Sequence, residues 1–174
     1  MRIISGTHKG RKINPTHNLR LRPTTDKAKE ALFNIIENRY FFSKKNALDL
    51  FSGTGNIALE FASRGIEKVI AVDQNIHSVE FINNISKELK FNISVIQSDA
   101  KKYLQSCSEQ FNFIFMDPPY NYKSYHETKD IIFKKNLIKK DGLLIIEHDK
   151  ATIFYDKNTE VRRYGTVHFS LFSF

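Results

Sequence analysis

The sequence predicts an α/β fold with a seven-stranded, mostly parallel sheet and helices on both faces. Short apolar segments alternate along the chain with segments of helical periodicity, which is the pattern of a parallel sheet with crossover helices. The clearest unit is a strand over residues 47–51, a glycine turn over 52–55 and a helix over 57–64 that Gly65 ends. Near the C-terminus, residues 160–164 and 167–172 flank Gly165 and predict an antiparallel hairpin that closes the sheet.

The other elements follow from the same periodicities. An amphipathic helix over 28–38 is expected to begin near Thr25 and Asp26, which suit the N-cap position. Further strands are predicted over 69–72, 94–97, 113–116 and 143–146, further helices over 79–89 and 125–137, a short edge strand or a loop over 153–155, and two short strands at 3–4 and 12–13.

Length and composition limit the classes of protein that fit. A chain of 174 residues with 41% hydrophobic residues is long enough for one domain with a real core. No apolar run approaches the ~20 residues of a membrane span, and the N-terminus lacks the apolar segment of a signal peptide. The single cysteine, Cys107, fits a reducing cytoplasm, and the six scattered histidines show no metal-binding spacing. We therefore expect a cytoplasmic, monomeric protein that needs no metal.

Positive charge is concentrated at the N-terminus. The chain has a net charge of +8, and its first 27 residues hold seven Lys or Arg against one Asp, a net +6. This asymmetry predicts a basic extension over 1–27, poor in core residues, that contacts nucleic acid and precedes a catalytic domain over 28–174. The candidate contact residues are Arg2, Lys9, Arg11, Arg20, Arg22 and Thr25. The alternative is a solvated basic surface with no dedicated partner.

The glycine turn has the form of a nucleotide-type cofactor site. Gly53 and Gly55 let the backbone approach a ligand at the N-terminus of the following helix. Asp73 follows Gly53 by 20 residues, a spacing at which a carboxylate commonly binds ribose hydroxyls. With Ala58, the same spacing also fits the fingerprint of NAD-binding proteins, so the loop alone leaves a nicotinamide cofactor open.

Carboxylates at the ends of four successive predicted strands favour a cationic, phosphate-free cofactor. Asp49 would repel a pyrophosphate and attract an ammonium, and Asp99 would accept a hydrogen bond from an adenine amine. S-adenosylmethionine has the ammonium, sulfonium, ribose and adenine that suit such a set. The predicted cofactor-binding residues are Asp49, Phe51, Ser52, Gly53, Thr54, Gly55, Asp73, Gln74, Ser98, Asp99 and Ala100.

The run Asp117, Pro118, Pro119 and Tyr120 suits binding of a flat heterocycle by its exocyclic amine. It follows an apolar strand, at the edge where open α/β sheets bind ligands. Asp117 can accept a hydrogen bond from an NH2 group, the prolines stiffen the loop, and Tyr120 offers a ring for stacking. We predict these four residues as the catalytic set. The alternative is a strand-ending turn with a structural tyrosine.

These motifs together resemble those of the RsmD family of class I S-adenosylmethionine-dependent methyltransferases. The resemblance covers nearly the whole chain and lies in residues 2–6 (RIISG), 9–13 (KGRKI), 21–26 (LRPTTD), 29–35 (KEALFNI), 49–55 (DLFSGTG), 62–65 (ASRG) and 115–120 (FMDPPY). The Arg-Pro-Thr-Thr-Asp run is the most specific to the family, whereas the glycine loop is shared by many methyltransferases.

The resemblance implies a Rossmann-like class I methyltransferase fold and methylation of the exocyclic N2 amine of a guanine in 16S ribosomal RNA, free or in the small ribosomal subunit. Three alternatives stay open: a DNA adenine-N6 or cytosine-N4 methyltransferase, an NAD-dependent oxidoreductase, and a non-catalytic RNA-binding module. A chain of 174 residues leaves no room for the recognition domain that the DNA enzymes often carry. An oxidoreductase gives the Asp-Pro-Pro-Tyr run no role, and a binding module needs no cofactor loop.

Overall fold

The computed structural model describes residues 1–15, 19, 24–119, 121–157 and 159–174. The helices in these ranges are α1 (Asp26–Glu37), α2 (Asn56–Ser63), α3 (Ile76–Glu88), α4 (Ala100–Ser106) and α5 (Tyr125–Lys134). The strands are β1 (Asn46–Leu50), β2 (Lys68–Asp73), β3 (Ile93–Gln97), β4 (Phe111–Met116), β5 (Ile138–His148), β6 (Thr159–Tyr164) and β7 (Val167–Ser173). The predicted site residues Arg20, Arg22 and Tyr120 lie outside the described residues.

The strands form one seven-stranded sheet in the order β3-β2-β1-β4-β5-β7-β6. Strands β1 to β5 are parallel to one another, and β7 pairs antiparallel with both β5 and β6. The predicted fold class, including the C-terminal hairpin, is confirmed. The direction of winding reverses between β1 and β4, and open α/β sheets bind ligands beyond the carboxyl ends of the strands at such a point.

Helices cover both faces of the sheet because its central strands are apolar on both sides. On the first face, Phe113 and Phe115 of β4 pack with residues of α1, α2 and α3. On the second face, Ile114 and Met116 of the same strand pack with residues of α4 and α5. Strand side chains alternate between faces, so a residue's number along β1, β4 or β5 indicates the face on which it lies.

Residues 1–15 form a hairpin that packs on α2 instead of a detached arm. Arg2 and Lys12 make a single antiparallel bridge where two short strands were predicted. Ile3 and Ile13 are only 2% and 4% exposed, in a small apolar cluster with Leu59 of α2. The expectation that this segment is poor in core residues is therefore wrong for residues 1–15, since alternate hairpin residues are apolar and reach a helix surface.

Other differences from the predicted elements have local causes. Helix α4 was not predicted; it spans seven residues with Ala100 and Leu104 as its buried positions, too few for a recognisable period. Helix α5 stops at Lys134 instead of residue 137, and Asn136 beyond it has a φ of 51°. Strand β5 then begins five residues earlier than predicted, at Ile138. Residues 153–155 form no strand, so the loop alternative holds there.

None of the helices in the described part of the chain is both long and apolar enough to cross a membrane.

Candidate active site

The turn between β1 and α2 is fastened to the carboxyl end of β2. The Ser52 amide and hydroxyl both donate to the Val72 carbonyl, at 3.0 and 3.2 Å. The Gly53 amide donates to Asp73 Oδ2 at 2.7 Å, and Gly55 has a φ of 73° as the N-cap of α2. Positive φ at both glycines turns the backbone tightly and exposes amides to a ligand at the helix N-terminus.

Asp49 lies under this turn, on the first face of the sheet. It is 2% exposed, and its Oδ2 accepts a hydrogen bond from the Ala58 amide in α2 at 3.0 Å. Burial raises the pKa of Asp49 to about 8. Among the described residues no Lys or Arg forms an ion pair with it, so a ligand ammonium would supply the charge that the carboxylate lacks.

The predicted residues after β2 and β3 lie along the same sheet edge. Asp73 Oδ1 accepts from the Asn75 amide at 2.8 Å, and the Asp73 carbonyl accepts from the Ser98 amide at 3.0 Å. Asp99 is the N-cap of α4 and accepts from the Lys102 amide at 3.0 Å. Both carboxylates thus have a structural role that the sequence did not reveal, and each keeps lone pairs for a further donor.

Asp117 follows β4 directly and lies among carboxylates. Its pKa is raised well above the usual value, first by burial and then by the negative charges of Glu147 and Asp49. Asp49 in β1, Asp117 directly after β4 and Glu147 in β5 come from neighbouring strands, and the alternation of side chains along these strands puts all three on the first face. The structure therefore brings two predicted residues together with a third, Glu147, that the sequence analysis missed.

The loop after Asp117 is joined to the cofactor turn by aromatic contact. Pro118 is buried, Pro119 is exposed, and the Pro119 carbonyl accepts from the Tyr122 amide at 2.8 Å. The Tyr122 ring meets the Phe51 ring edge-on, with centroids 5.1 Å apart. Tyr122 was not predicted as a site residue, although its position two residues after the Asp-Pro-Pro-Tyr run could have indicated it. The stacking role predicted for Tyr120 stays a prediction.

A cleft of about 440 Å³ opens beside Glu147, between the start of α1 and the β6–β7 turn. Its lining includes Thr24, Lys27, Glu147, Arg163 and Thr166. The Thr24 hydroxyl donates to Glu147 Oε2 at 2.7 Å. The cleft therefore has a carboxylate with a fixed partner and two basic residues along its border, a composition suited to a polar, negatively charged ligand.

Thr24 is itself fixed by a buried chain of hydrogen bonds. The Thr24 carbonyl accepts from Asn56 Nδ2 at 3.0 Å, and Asn56 Oδ1 accepts from Lys29 Nζ at 2.7 Å. Lys29 Nζ also donates to the Arg2 carbonyl at 2.8 Å. This relay, defined as Arg2, Lys29, Asn56, Thr24 and Glu147, runs from the N-terminal hairpin to the cleft.

The predicted RNA-contact residues differ in their surroundings. Arg2 pairs with Asp26 at 3.2 Å, and Arg11 pairs with Glu88, both at the surface. Lys9 is exposed. The Thr25 hydroxyl caps α1 by accepting from the Ala28 amide at 3.2 Å. Their contacts with RNA stay predictions.

The described residues contain no group of three or more His, Cys, Asp or Glu side chains arranged to hold a metal ion.

Comparisons with known proteins agree with this architecture. A family model described as "Conserved hypothetical protein 95" matches residues 1–173. The Bacillus subtilis protein YlbH is 35% identical over 155 residues, which cover 86% of this chain and 83% of YlbH. Ribosomal RNA small subunit methyltransferase D of Escherichia coli K12 is 30% identical over 151 residues, which cover 86% of this chain and 75% of that protein.

Solved structures show the same similarity. The yhhF protein of Escherichia coli superposes with a TM-score of 0.86 at 26% identity, covering 99% of this chain and 97% of its own. A hypothetical protein of Thermus thermophilus gives the same TM-score at 25% identity and covers 98% of each chain. The family match spans nearly the whole sequence and the relatives are similar over most of their length, and this chain therefore belongs to the RsmD family of small-subunit ribosomal RNA methyltransferases.

Proposed function

We propose that this protein transfers a methyl group from S-adenosylmethionine to the exocyclic N2 amine of a guanine in 16S ribosomal RNA. Family membership gives the broader class, methylation of small-subunit ribosomal RNA. The observation that carries the finer proposal is the position of Asp117. It is a half-buried carboxylate at the switch point of the sheet, one strand from the glycine turn and its Asp49. Such an enzyme would act as a monomer in the cytoplasm.

The residues around the glycine turn fit S-adenosylmethionine. Asp49 would bind the ammonium, the Gly53 to Gly55 backbone would lie against the amino-acid part, Asp73 would bind the ribose hydroxyls and Asp99 the adenine amine. When bound, this cofactor supplies a methyl group that a sulfonium already activates. SMU.776, a neighbour of the same fold at 15% identity, was solved in complex with SAH.

Asp117 would act on the amine of the base. A guanine amine is a poor nucleophile because its lone pair is delocalised into the ring. Hydrogen bonds from the amine to Asp117 and to the Pro118 carbonyl would favour a pyramidal nitrogen and aim its lone pair. Positioning of this kind can supply several powers of ten in rate. The raised pKa of Asp117 also makes its carboxylate a stronger base for the proton that the methylated nitrogen releases.

The base must leave its stack to reach Asp117, because the site lies at the edge of the sheet below a loop. Stacking on Tyr120 would contribute about 1–3 kcal/mol, as base–aromatic contacts do elsewhere. The Phe51 and Tyr122 contact holds this loop close to the cofactor turn.

Methyl transfer from labelled S-adenosylmethionine to total RNA tests the proposal. The RNA is offered both free and in small-subunit particles, and its nucleosides are then separated. We expect the label in N2-methylguanosine from 16S RNA, and we expect Asp117→Ala to remove it while the cofactor still binds. Label in another nucleoside, or in DNA alone, would contradict the proposal.

A further inference from the structure

Glu147 lies near Asp117 but has no role in the proposed methyl transfer. In the register of β4 and β5, Phe115 is opposite Ile145 and Met116 is opposite Ile146. The residues that follow this last pair are Asp117, directly after β4, and Glu147, still within β5. Adjacent strands are ~4.8 Å apart, so the two carboxyl groups can meet neighbouring atoms of one ligand ring.

The Glu147 carboxylate is held in place. The Thr24 hydroxyl donates to its Oε2 at 2.7 Å, and Thr24 is 6% exposed. Asn56 and Lys29 fix the Thr24 backbone through the relay. A carboxylate offers about four acceptor positions, so the bond from Thr24 orients the group without using all of its acceptor capacity. A fixed hydrogen-bond acceptor at the border of a cleft is suited to recognising a hydrogen-bond donor on a ligand.

Guanine is the base that matches two adjacent acceptors. Its Watson–Crick edge carries the N2 amine beside the N1–H, two donors side by side. Adenine places an unprotonated N1 beside its N6 amine, and cytosine places an unprotonated N3 beside its N4 amine. A second carboxylate next to Asp117 would repel those ring nitrogens and accept a hydrogen bond from guanine N1–H.

We propose that Glu147 determines the base specificity of the enzyme by accepting the guanine N1–H while Asp117 accepts from the N2 amine. The inference rests on the proposed function and adds the residue that selects the base. The negative charge of Glu147 is one cause of the raised pKa of Asp117, and two ligand donors would offset that repulsion. Lys27 and Arg163, along the cleft, are placed to meet the adjoining phosphates.

The test compares guanine with 2-aminopurine at the methylated position of the substrate RNA. Both bases carry the same 2-amine, and 2-aminopurine lacks the N1–H together with the O6 carbonyl, of which only the N1–H can donate to Glu147. We expect the parent enzyme to prefer guanine by roughly 10- to 100-fold in kcat/KM, the scale of one hydrogen bond to a charged group. Equal rates on the two RNAs, with methyl found on guanine N2, would overturn the role of Glu147 and leave the proposed function standing.

Variants at position 147 give an independent measurement. Glu147→Leu should lower kcat/KM on guanine by roughly 10- to 100-fold and leave 2-aminopurine unchanged or improved, because both the acceptor and the repulsion are removed. Glu147→Gln should keep part of the preference through its amide oxygen, and Thr24→Val should weaken it. Glu30→Gln, on the exposed side of α1, is the matched control.

A general loss of structure would lower both rates together and keep their ratio, so a preserved ratio in Glu147→Leu counts against the proposal. Methyl recovered on a base other than guanine in the parent reaction would overturn both this inference and the proposed function.

Discussion

Asp117 has its ionisation controlled by its neighbours as well as by its burial. Burial raises the pKa of Asp117, the negative charges of Glu147 and Asp49 raise it further, and a donor or a cation bound beside it would lower it. A carboxyl whose pKa in the folded protein lies above its unfolded value loses stabilising free energy as the pH rises through the folded value. The free enzyme is therefore less stable at high pH than it would be with a neutral group at this position.

Asp117→Asn should stabilise the protein and impair methyl transfer. The amide cannot ionise, so thermal unfolding above neutral pH should show a higher Tm than the parent, by a few degrees on the scale of about 2–4 °C per kcal/mol. Methyl transfer should fall, and Asp117→Ala should lose about 10²- to 10⁴-fold, since the acceptor and base are lost. Asp130→Asn, at an exposed position in α5, is the control for Tm. A Tm difference that does not grow from pH 5 to pH 9 would contradict the assignment.

Asp49 should make cofactor affinity depend on pH. Its pKa of about 8 means that Asp49 is mostly protonated in the free enzyme at neutral pH. An ion pair with the ammonium of S-adenosylmethionine requires the ionised carboxylate. Binding must then release a proton, so affinity should rise by up to about tenfold per pH unit from pH 6 and level off above pH 8. Calorimetric titration at several pH values measures this slope. Asp49→Asn should remove it, and the same slope in that variant would place the titrating group elsewhere.

The N-terminal hairpin depends on charges buried in α1 and α2. Glu60 is fully buried and accepts from the amides of Ile4 and Ser5 at 2.8 and 3.1 Å. Lys29, 1% exposed, lies 3.4 Å from Glu60 and bonds the Arg2 carbonyl. Burial lowers the pKa of Lys29. The Arg64 side chain, also buried, pairs with Glu60 at 2.7 Å, so Glu60 serves two cations while the hairpin backbone bonds both Glu60 and Lys29.

Lys29→Met should cost roughly 2–3 kcal/mol of unfolding free energy in urea, because the Arg2 carbonyl and Asn56 Oδ1 lose a charged donor while Arg64 still pairs with Glu60. Lys27→Met, two residues earlier at an exposed position, should change stability by less than about 0.5 kcal/mol. Faster hydrogen exchange at Ile4 and Ser5 should accompany the loss in Lys29→Met. Equal effects from the two variants would show that the buried pair does not hold the hairpin.

The sequence predicted the elements whose periodicity is strong and missed those fixed by tertiary contact. Strands β1, β2 and β4 were found within two residues because each is an apolar run that ends at an aspartate or a turn. Helix α4 was missed because its two buried positions, Ala100 and Leu104, are too few to show a helical period. Glu147 was missed because strand β5 gives no sign that its next-to-last residue lies near Asp117. Their proximity follows from the register of β4 and β5, which shifts between Phe111 and Phe113 and which a sequence pattern does not contain.

At the scale of the whole molecule, some basic residues form ion pairs within the protein and others line the cleft. Arg2 and Arg11 form surface ion pairs, which are worth little and can be exchanged for phosphate contacts. Lys27 and Arg163 lie on two sides of the cleft. RNA affinity should therefore fall steeply with salt, because neutralised phosphates release counterions.

Arg20→Ala with Arg22→Ala should flatten the salt dependence of RNA affinity by up to about two units of slope, one for each lost phosphate contact. S-adenosylmethionine affinity should stay unchanged. The matched pair is Lys134→Ala with Lys135→Ala at the end of α5. RNA binding measured across a range of salt concentrations distinguishes a dedicated N-terminal RNA contact from a solvated basic surface. Equal effects from both pairs of substitutions would refute the dedicated contact.

The relay from Arg2 to Glu147 has a consequence for how this family can diverge. Lys29 donates to the Asn56 side chain, Asn56 donates to the Thr24 carbonyl, and the Thr24 hydroxyl donates to Glu147, so the loss of a donor or acceptor side chain leaves its partner unsatisfied. Natural relatives should therefore change these positions as a set. A change of target base during evolution would then require several of these positions to change together. The Asp-Pro-Pro-Tyr run would stay constant during such a change, so that run alone would not reveal which base a relative methylates.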